Sequence, residues 1–223
     1  MTPEIDFPIT PGTLSAGEIR TLVGTDEPVI VEIGANRGQT TAAMLEAMPG
    51  AAIYAFEPDP RAIAKFRNAI QENPRVRLFE CAIGAVNGTV TFHQSSGVEH
   101  KVGYSQGWDQ SGSIRRPNRH LRMYPWVKFE KQIEVPITTL DTWSEQHSLT
   151  AVDFIWADVQ GAESDLIEGA ARLLRSVRYF YTEYSNEECY EGQATLGQLA
   201  DMLKDFDLVT RYPLDALFKR RSL

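Results

Sequence analysis

The residues Val29-Ile-Val-Glu-Ile-Gly-Ala-Asn-Arg-Gly38 decide the fold of this chain of 223 residues. Their first part is a short run rich in β-branched residues, which stops at Gly34, and a helical pattern resumes after Gly38. The pattern predicts a strand, a tight turn and a helix. Glycine allows the backbone to approach a ligand closely, and the unpaired N–H groups at a helix start can face that ligand.

A second strand is predicted at residues 52–56, and Glu57 follows it directly. An acid at this position is placed to accept hydrogen bonds from both hydroxyls of a ribose. Asp59 and Pro60 then match the N-cap and the first position of a helix. The two strand ends together predict half of a nucleotide-binding unit.

The spacing of the glycines indicates which nucleotide is bound. A dinucleotide fingerprint has its third glycine five residues after its first, whereas Gly34 and Gly38 are four residues apart. Glu32 also precedes Gly34 by two residues, where its charge would repel phosphates and suit an ammonium or sulfonium group. Both observations argue against an NAD-dependent oxidoreductase and favour S-adenosylmethionine.

Three segments resemble a known family. E-I-G-A-N-R-G at 32–38 and A-F-E-P-D at 55–59 resemble the first two motifs of class I methyltransferases, specifically the FkbM-like family. D-V-Q-G-A-E at 158–163 resembles that family's D-V-x-G-x-E segment. The resemblance implies a Rossmann-like α/β fold, whose seven-stranded, mostly parallel sheet has one antiparallel strand and helices on both faces. It also implies an S-adenosylmethionine-dependent methyltransferase, and we expect O-methylation of a hydroxyl group.

The residues expected to contact the cofactor follow strand ends, which share one edge in an open α/β sheet. They are Glu32, Gly34, Ala35, Asn36, Gly38, Glu57, Pro58, Cys81, Ala82 and Asp158. Structural alternatives remain for several of them. Glu57 could flank a helix, Glu32 could pair with a Lys or Arg, and Cys81 could be a small buried apolar residue. Asn36 could hold a left-handed turn.

Residues 94–132, called the insertion below, interrupt the regular pattern. This segment has seven basic and three acidic side chains in a protein of net charge −8, and five aromatic residues are interleaved with them. Long irregular segments in compact domains are usually functional or mobile, so we predict a lid over a carbohydrate-like or anionic acceptor. The residues expected to bind the acceptor are His100, Ser113, Arg115, Trp156 and Glu183. Alternatively, the insertion is solvated, and its aromatic residues cover the core or a homodimer interface.

Asp158 is the candidate catalytic residue because it ends a predicted buried strand at the cofactor edge. It could be a general base with a pKa raised by burial, it could bind Mg²⁺ together with Glu183 or Asn186, or it could cap the helix that follows. Mg²⁺ is not the expected case. The family usually has a lysine two residues before this aspartate, where this chain has Trp156. A changed acceptor specificity is therefore expected.

Length and composition predict a single methyltransferase domain at residues 29–223, preceded by an arm with a short helix at residues 1–28. The net charge of −8 and the pI of about 5.1 argue against nucleic-acid binding. Two distant cysteines, no signal-peptide pattern and no apolar run of membrane-spanning length predict a cytoplasmic protein. A non-catalytic methyltransferase-like binding module remains an alternative.

Overall fold

The computed structural model describes residues 7–98 and 107–221. The strands of the main sheet are β1 (Val29–Ile33), β2 (Ala52–Phe56), β3 (Val76–Phe79), β7 (Val152–Ala157), β8 (Val177–Glu183), β9 (Phe206–Arg211) and β10 (Asp215–Arg220). A smaller sheet contains β4 (Ala82–Ile83), β5 (Gly88–Gly97) and β6 (Val127–Thr138). The helices are α1 (Ala16–Val23), α2 (Gln39–Ala47), α3 (Pro60–Ile70), α4 (His120–Met123), α5 (Leu140–Gln146), α6 (Glu163–Glu168) and α7 (Leu196–Met202).

The main sheet has the strand order β3-β2-β1-β7-β8-β10-β9. Neighbouring strands from β3 to β8 are parallel, and β10 is antiparallel to both β8 and β9. This confirms the predicted seven-stranded sheet with one antiparallel strand. The strand order reverses at β1, because β2 and β3 lie on one side of it and β7 and β8 lie on the other. Ligands of open α/β sheets bind outside the strand ends at such a switch point.

Alternate residues of the central strands pack into two cores, one on each face of the main sheet. Ile30 and Phe154 face the helices α1 and α2, whereas Val31 and Ile155 face α5, α6 and α7. Both faces are therefore covered, which explains why β1 and β7 are almost continuously apolar. No helix among residues 7–98 and 107–221 combines the length and apolarity needed to span a membrane.

The predicted arm contributes to one of these cores. A capping box of Ser15 and Glu18 begins α1, and Ile19 and Val23 are buried with Met44 of α2. The N-terminal helix therefore covers the sheet.

The insertion is more regular at its ends than its composition predicted. β5 continues to Gly97 and β6 begins at Val127, so residues 94–97 and 127–132 belong to one pair of antiparallel strands. Cross-strand backbone hydrogen bonds hold this pair, and such bonds do not depend on an apolar sequence pattern.

The helical segment that follows β7 is interrupted. α6 ends at Glu168, and a separate 3-10 turn follows at Leu173–Ser176. The carbonyl of Gly169 accepts a hydrogen bond from the backbone N–H of Asp141, which starts another helix. That contact takes the carbonyl out of the α6 hydrogen-bond pattern.

Gly34 allows β1 and β7 to end close together. It has φ +84°, and a Cβ at this position would overlap the backbone carbonyl of Asp158. We expect Gly34→Ala to destabilise the fold by about 3 kcal/mol or more, because both the backbone conformation and the contact forbid a side chain. The midpoint of thermal unfolding, followed by circular dichroism, measures this effect.

The matched control is Gly17→Ala in α1. Gly17 is exposed, and a Cβ there would meet no atom within 4 Å. Alanine favours helix by up to about 1 kcal/mol over glycine, so this variant should melt at the same temperature or slightly higher. Equal melting of the two variants would contradict the proposed constraint at Gly34.

Candidate active site

A cavity of about 360 Å³ opens at the carboxyl ends of β1, β2, β7 and β8. This volume is in the range of sites for small molecules. The cavity is lined by residues from these four strand ends, from β4 and from the insertion. They include Gly34, Ala35, Asn36, Phe56, Glu57, Pro58, Cys81, Ala82, Ile83, Trp108, Asp109, Gln110, Ser113, Trp156, Asp158, Gln160 and Glu183.

Glu57 is held rigidly at the cavity wall. One carboxylate oxygen accepts a hydrogen bond from the backbone N–H of Asn36 (2.8 Å), and the other accepts one from the backbone N–H of Asp59 (2.8 Å). Burial raises the pKa of Glu57 to about 8. Each carboxylate oxygen retains a lone pair, so the ionised group can accept two further hydrogen bonds from a ligand.

Asn36 has an unused acceptor in the cavity. Its backbone is left-handed (φ +44°), and its side-chain amide donates a hydrogen bond to the backbone carbonyl of Asp109 (3.0 Å). The Oδ1 atom is buried and has no hydrogen-bond partner in the described part of the chain. A buried acceptor without a partner is costly, so this atom indicates that a ligand donates a hydrogen bond here.

One wall of the cavity is apolar. Phe56, Cys81, Ala82 and Ile83 lie together there. Burial raises the pKa of the Cys81 thiol to about 11, so the thiol is protonated at neutral pH and is not a nucleophile. A flat, apolar group of a ligand fits this wall.

Two acidic side chains lie at the opposite wall. The side-chain amide of Gln160 donates one hydrogen bond to Asp158 (2.7 Å) and another to Glu183 (2.7 Å). Burial raises the pKa of both carboxyls, and the charge of Asp158 further raises the pKa of Glu183. The two groups interact directly, so they titrate as a pair, and the first proton to bind is shared between them.

The insertion forms part of the cavity lining. Trp108, Gln110 and Ser113 line the cavity. Asp109 accepts hydrogen bonds from Arg37 (2.7 and 3.0 Å) and also forms an ion pair with Lys65. Because Arg37 precedes α2 and Lys65 belongs to α3, these bonds fasten the insertion to the glycine loop.

Three of the predicted contact residues lie outside the lining of the cavity. Glu32 does not line the cavity, because its carboxylate is buried beneath α2 and accepts a hydrogen bond from Thr41. Gly38 also lies outside the lining, at the N-cap of α2 beside Phe66. Arg115 lies outside it as well, since its guanidinium group binds both carboxylate oxygens of Asp165 (2.9 Å each).

The other predicted site residues have these positions. Gly34, Ala35, Asn36, Glu57, Pro58, Cys81, Ala82, Ser113, Trp156, Asp158 and Glu183 line the cavity. His100 lies outside the described residues. Among the described residues, 7–98 and 107–221, no three His, Cys, Asp or Glu side chains are grouped so that they could hold a metal ion.

Comparison with known proteins agrees with this geometry. A family model described as "Methyltransferase FkbM domain" matches residues 32–210. The chain is also 44% identical over 196 residues to the 2-O-methyltransferase NoeI of Sinorhizobium fredii, a match that covers 88% of this chain and 79% of that protein. The chain belongs to the FkbM methyltransferase family.

Two further proteins are similar to this methyltransferase. Methyltransferase 1 of Beauveria bassiana is 27% identical over 149 residues, which is 65% of this chain and 59% of that protein. Among solved structures, the Methanococcus jannaschii fibrillarin pre-rRNA processing protein aligns with a TM-score of 0.50 and 13% identity, over 91% of this chain and 70% of that chain. The latter likeness concerns the fold alone.

Sequence reasoning missed three residues of the methyltransferase site. Gln160 is part of the D-V-Q-G-A-E segment, and its place between two predicted acidic residues was a usable signal. Asp109 is an acid within a basic segment, which suggested an ion pair without indicating its partners. Tyr190, whose hydroxyl lies 2.9 Å from the side-chain carbonyl of Gln160, follows β8 in an irregular segment and gave no signal.

The contact of Asp109 with Arg37 and Lys65 can be tested by substitution. Asp109 is 5% exposed, and Asp109→Asn removes its charge-assisted hydrogen bonds. We expect a loss of about 2 kcal/mol in the free energy of unfolding. We also expect faster proteolysis within the insertion, because its anchor to α2 and α3 is weakened. Urea unfolding and limited trypsin digestion measure the two effects.

The matched control is Asp26→Asn, which breaks the exposed ion pair of Asp26 with Arg20. Exposed pairs contribute little, so its stability should change by less than about 1 kcal/mol. Digestion of the insertion at the same rate in both variants would show that Asp109 does not anchor it.

Proposed function

We propose that this enzyme transfers a methyl group from S-adenosylmethionine to a hydroxyl group of a sugar, a glycoside or another small polar metabolite. The observation that carries the proposal is the cavity itself, where Glu57 accepts hydrogen bonds from two backbone N–H groups and where Asp158 and Glu183 share the side-chain amide of Gln160. The name of the relative from Sinorhizobium fredii, a 2-O-methyltransferase, supports an oxygen acceptor.

The cavity residues fit the parts of S-adenosylmethionine. Glu57 would hold the two ribose hydroxyls, and the apolar wall of Phe56 and Ile83 would hold the adenine ring. The methionine portion would lie beside the loop that follows β1, and the unpaired Oδ1 of Asn36 offers an acceptor to a cofactor donor. When bound, the cofactor supplies an electrophilic methyl group on a positively charged sulfur atom.

Asp158 would act as the general base. Its carboxylate lines the cavity, and burial raises its pKa above the ordinary value for aspartate. A base with a raised pKa is better matched to a weakly acidic hydroxyl. The acceptor oxygen would form its bond to the methyl carbon while Asp158 takes the hydroxyl proton. Alignment of the two reactants supplies much of the remaining rate acceleration.

The acceptor would bind between β7 and the insertion. Trp156 lines the cavity two residues before Asp158, with its ring packed on Tyr181 (4.4 Å between centroids). Trp108 lies in the insertion and also faces the cavity. Aromatic faces suit the apolar faces of sugar rings, and the nearby Gln110 supplies a polar group. The insertion would act as a lid, held by the bonds of Asp109.

The role of Glu57 predicts a specific defect. Glu57→Gln preserves the shape of the side chain but removes the charge that strengthens its hydrogen bonds. We expect affinity for S-adenosylhomocysteine to fall about ten- to a hundredfold, which corresponds to about 1.4–2.8 kcal/mol. Isothermal titration calorimetry measures the dissociation constant.

Glu46→Gln provides the control, since Glu46 is exposed in α2 and does not line the cavity. Its affinity should equal that of the wild type. Wild-type affinity in Glu57→Gln would remove the assigned ribose site.

The role of Asp158 predicts a loss of turnover. We expect Asp158→Asn to lower kcat by about 10²- to 10⁴-fold, the usual contribution of a general base. Binding of S-adenosylhomocysteine, which lacks the transferred methyl group, should change less than about threefold. Formation of S-adenosylhomocysteine, measured with a panel of methyl glycosides and hydroxylated metabolites, reports turnover. The exposed Asp201→Asn should behave as the wild type.

A chelator distinguishes the remaining role of Asp158. Wild-type activity that survives chelation, together with an inactive Asp158→Asn variant, supports the general base. Loss of wild-type activity on chelation would instead indicate a metal ligand, and an active Asp158→Asn variant would leave only a structural role.

A further inference from the structure

The two acids at the cavity wall have no positive partner. Among the described residues, neither Asp158 nor Glu183 forms an ion pair with a Lys, Arg or His side chain. The nearest basic residue of the insertion, Arg115, is engaged with Asp165 and with the carbonyl of Glu191. Two buried negative charges without a counter-ion are strongly unfavourable, so the pair must hold a proton or face a cationic ligand.

We propose that Asp158 and Glu183 form one proton-holding unit that responds to the charge of the cofactor. The pair keeps one proton while the cavity is empty and releases it when a sulfonium ion binds. During methyl transfer it takes the hydroxyl proton of the acceptor. This inference rests on the proposed function, since it assumes that the cofactor cavity holds S-adenosylmethionine.

Gln160 fixes the geometry of the pair. Its side-chain amide has two hydrogens, and each is directed to one of the two carboxyls. The hydroxyl of Tyr190 lies 2.9 Å from the side-chain carbonyl of Gln160. The hydroxyl of Ser113 donates a hydrogen bond to the backbone carbonyl of Gln160 (2.7 Å). These contacts orient the amide so that its NH₂ group faces the acids. We therefore regard Gln160 as a positioning residue.

The backbone of Gln160 supports a functional reason for this arrangement. Its φ of +52° is rare for a residue other than glycine and costs about 1–3 kcal/mol. Strained conformations of this kind persist where the surrounding structure holds them, and they cluster at functional sites. The strain directs the side chain of Gln160 between Asp158 and Glu183.

The groups around the pair oppose full ionisation. The groups that face the pair are Glu163 in α6, Asp215 in β10 and Tyr190. Burial is the largest cause of the raised pKa of Glu183, and the charges of Asp158, Glu163 and Asp215 raise it further. Glu163 is 1% exposed, and burial raises its own pKa to about 7. Arg115 lowers the pKa of Glu163 only weakly. Burial and these charges all favour a protonated form of the pair in the empty site.

A bound sulfonium ion reverses this balance. A positive charge near a carboxyl pair favours its ionised form, so the retained proton leaves for solvent. The pair then carries two negative charges. The sulfonium charge lowers the proton affinity of the pair while it is present, and this affinity rises again as the charge is lost during methyl transfer, so the pair can then take up the hydroxyl proton.

During methyl transfer the acid pair regains the proton that it lost when the cofactor bound. Asp158 takes the proton from the acceptor oxygen as the oxygen–methyl bond forms. The carbon–sulfur bond breaks at the same time, and its electron pair remains on the sulfur atom. The neutral product faces a pair that again holds one proton. The proton released to solvent in the next round is the one that the acceptor supplied.

Calorimetry in the absence of acceptor tests the proposal. Titration of the wild-type enzyme at pH 7 in two buffers of different ionisation enthalpy reports the protons exchanged on binding. We expect S-adenosylmethionine to release about one proton more than S-adenosylhomocysteine, because only the former carries the sulfonium charge, whereas any proton lost from Glu57 on ribose binding is common to both ligands. This difference should shrink as the pH is raised, because the empty pair then loses its proton before the ligand binds.

Two variants locate the effect. In Glu183→Gln position 183 cannot ionise, so the difference in proton release between the two ligands should vanish and the preference for S-adenosylmethionine over S-adenosylhomocysteine should fall about tenfold, the effect of about 1.4 kcal/mol of lost attraction. Glu46→Gln, at an exposed position of α2, is the matched control. It should leave the affinity for each ligand, their affinity ratio and the proton release unchanged.

The outcomes separate the two proposals. If neither ligand binds the wild-type enzyme, the proposed function fails. If both ligands bind with the same proton exchange, the proposed function stands and the proton-holding role of the pair is wrong. A difference in proton release between the two ligands that persists in Glu183→Gln also overturns that role.

Discussion

The site depends on the close approach of two backbone segments. The loop after β1 meets the end of β7, where the backbone N–H of Asp158 donates a hydrogen bond to the carbonyl of Ile33 (2.9 Å). Only glycine at position 34 leaves room for this contact. The glycine loop and the acid pair therefore share one cavity. A side chain at position 34 would push the loop after β1 away from the end of β7.

Burial explains the electrostatics on both sides of this contact. It raises the pKa of Glu57 to about 8 and raises the pKa values of Asp158 and Glu183. The backbone N–H groups that bind Glu57 partly offset its desolvation, whereas the acid pair has only the amide of Gln160. The cavity therefore has a strongly hydrogen-bonded acid for ribose at one wall and an acid pair at the other, where a cationic ligand would be favoured.

The insertion shows how a segment with an irregular sequence is ordered by charges from elsewhere in the chain. Its basic composition suggested an anionic acceptor, yet Arg115 binds Asp165 in α6, and the acidic Asp109 binds Arg37 and Lys65 beside the cofactor loop. Charges that could have faced a ligand instead hold the insertion to the domain. The acceptor side is left with aromatic and neutral polar groups such as Trp108 and Gln110.

The sequence by itself determined the α/β class and the strand after which the glycine loop turns, and it predicted Glu57 and Asp158, which both line the cavity, as site residues. These follow from local patterns, since a strand, a turn residue and a helix cap are encoded by neighbouring positions. The tertiary structure decided which polar groups face the cavity. Glu32 was turned beneath α2 to Thr41, and Gln160 was placed between Asp158 and Glu183. Side-chain direction and pKa depend on burial and on the partners that the tertiary fold brings together, and no local sequence pattern records either of them.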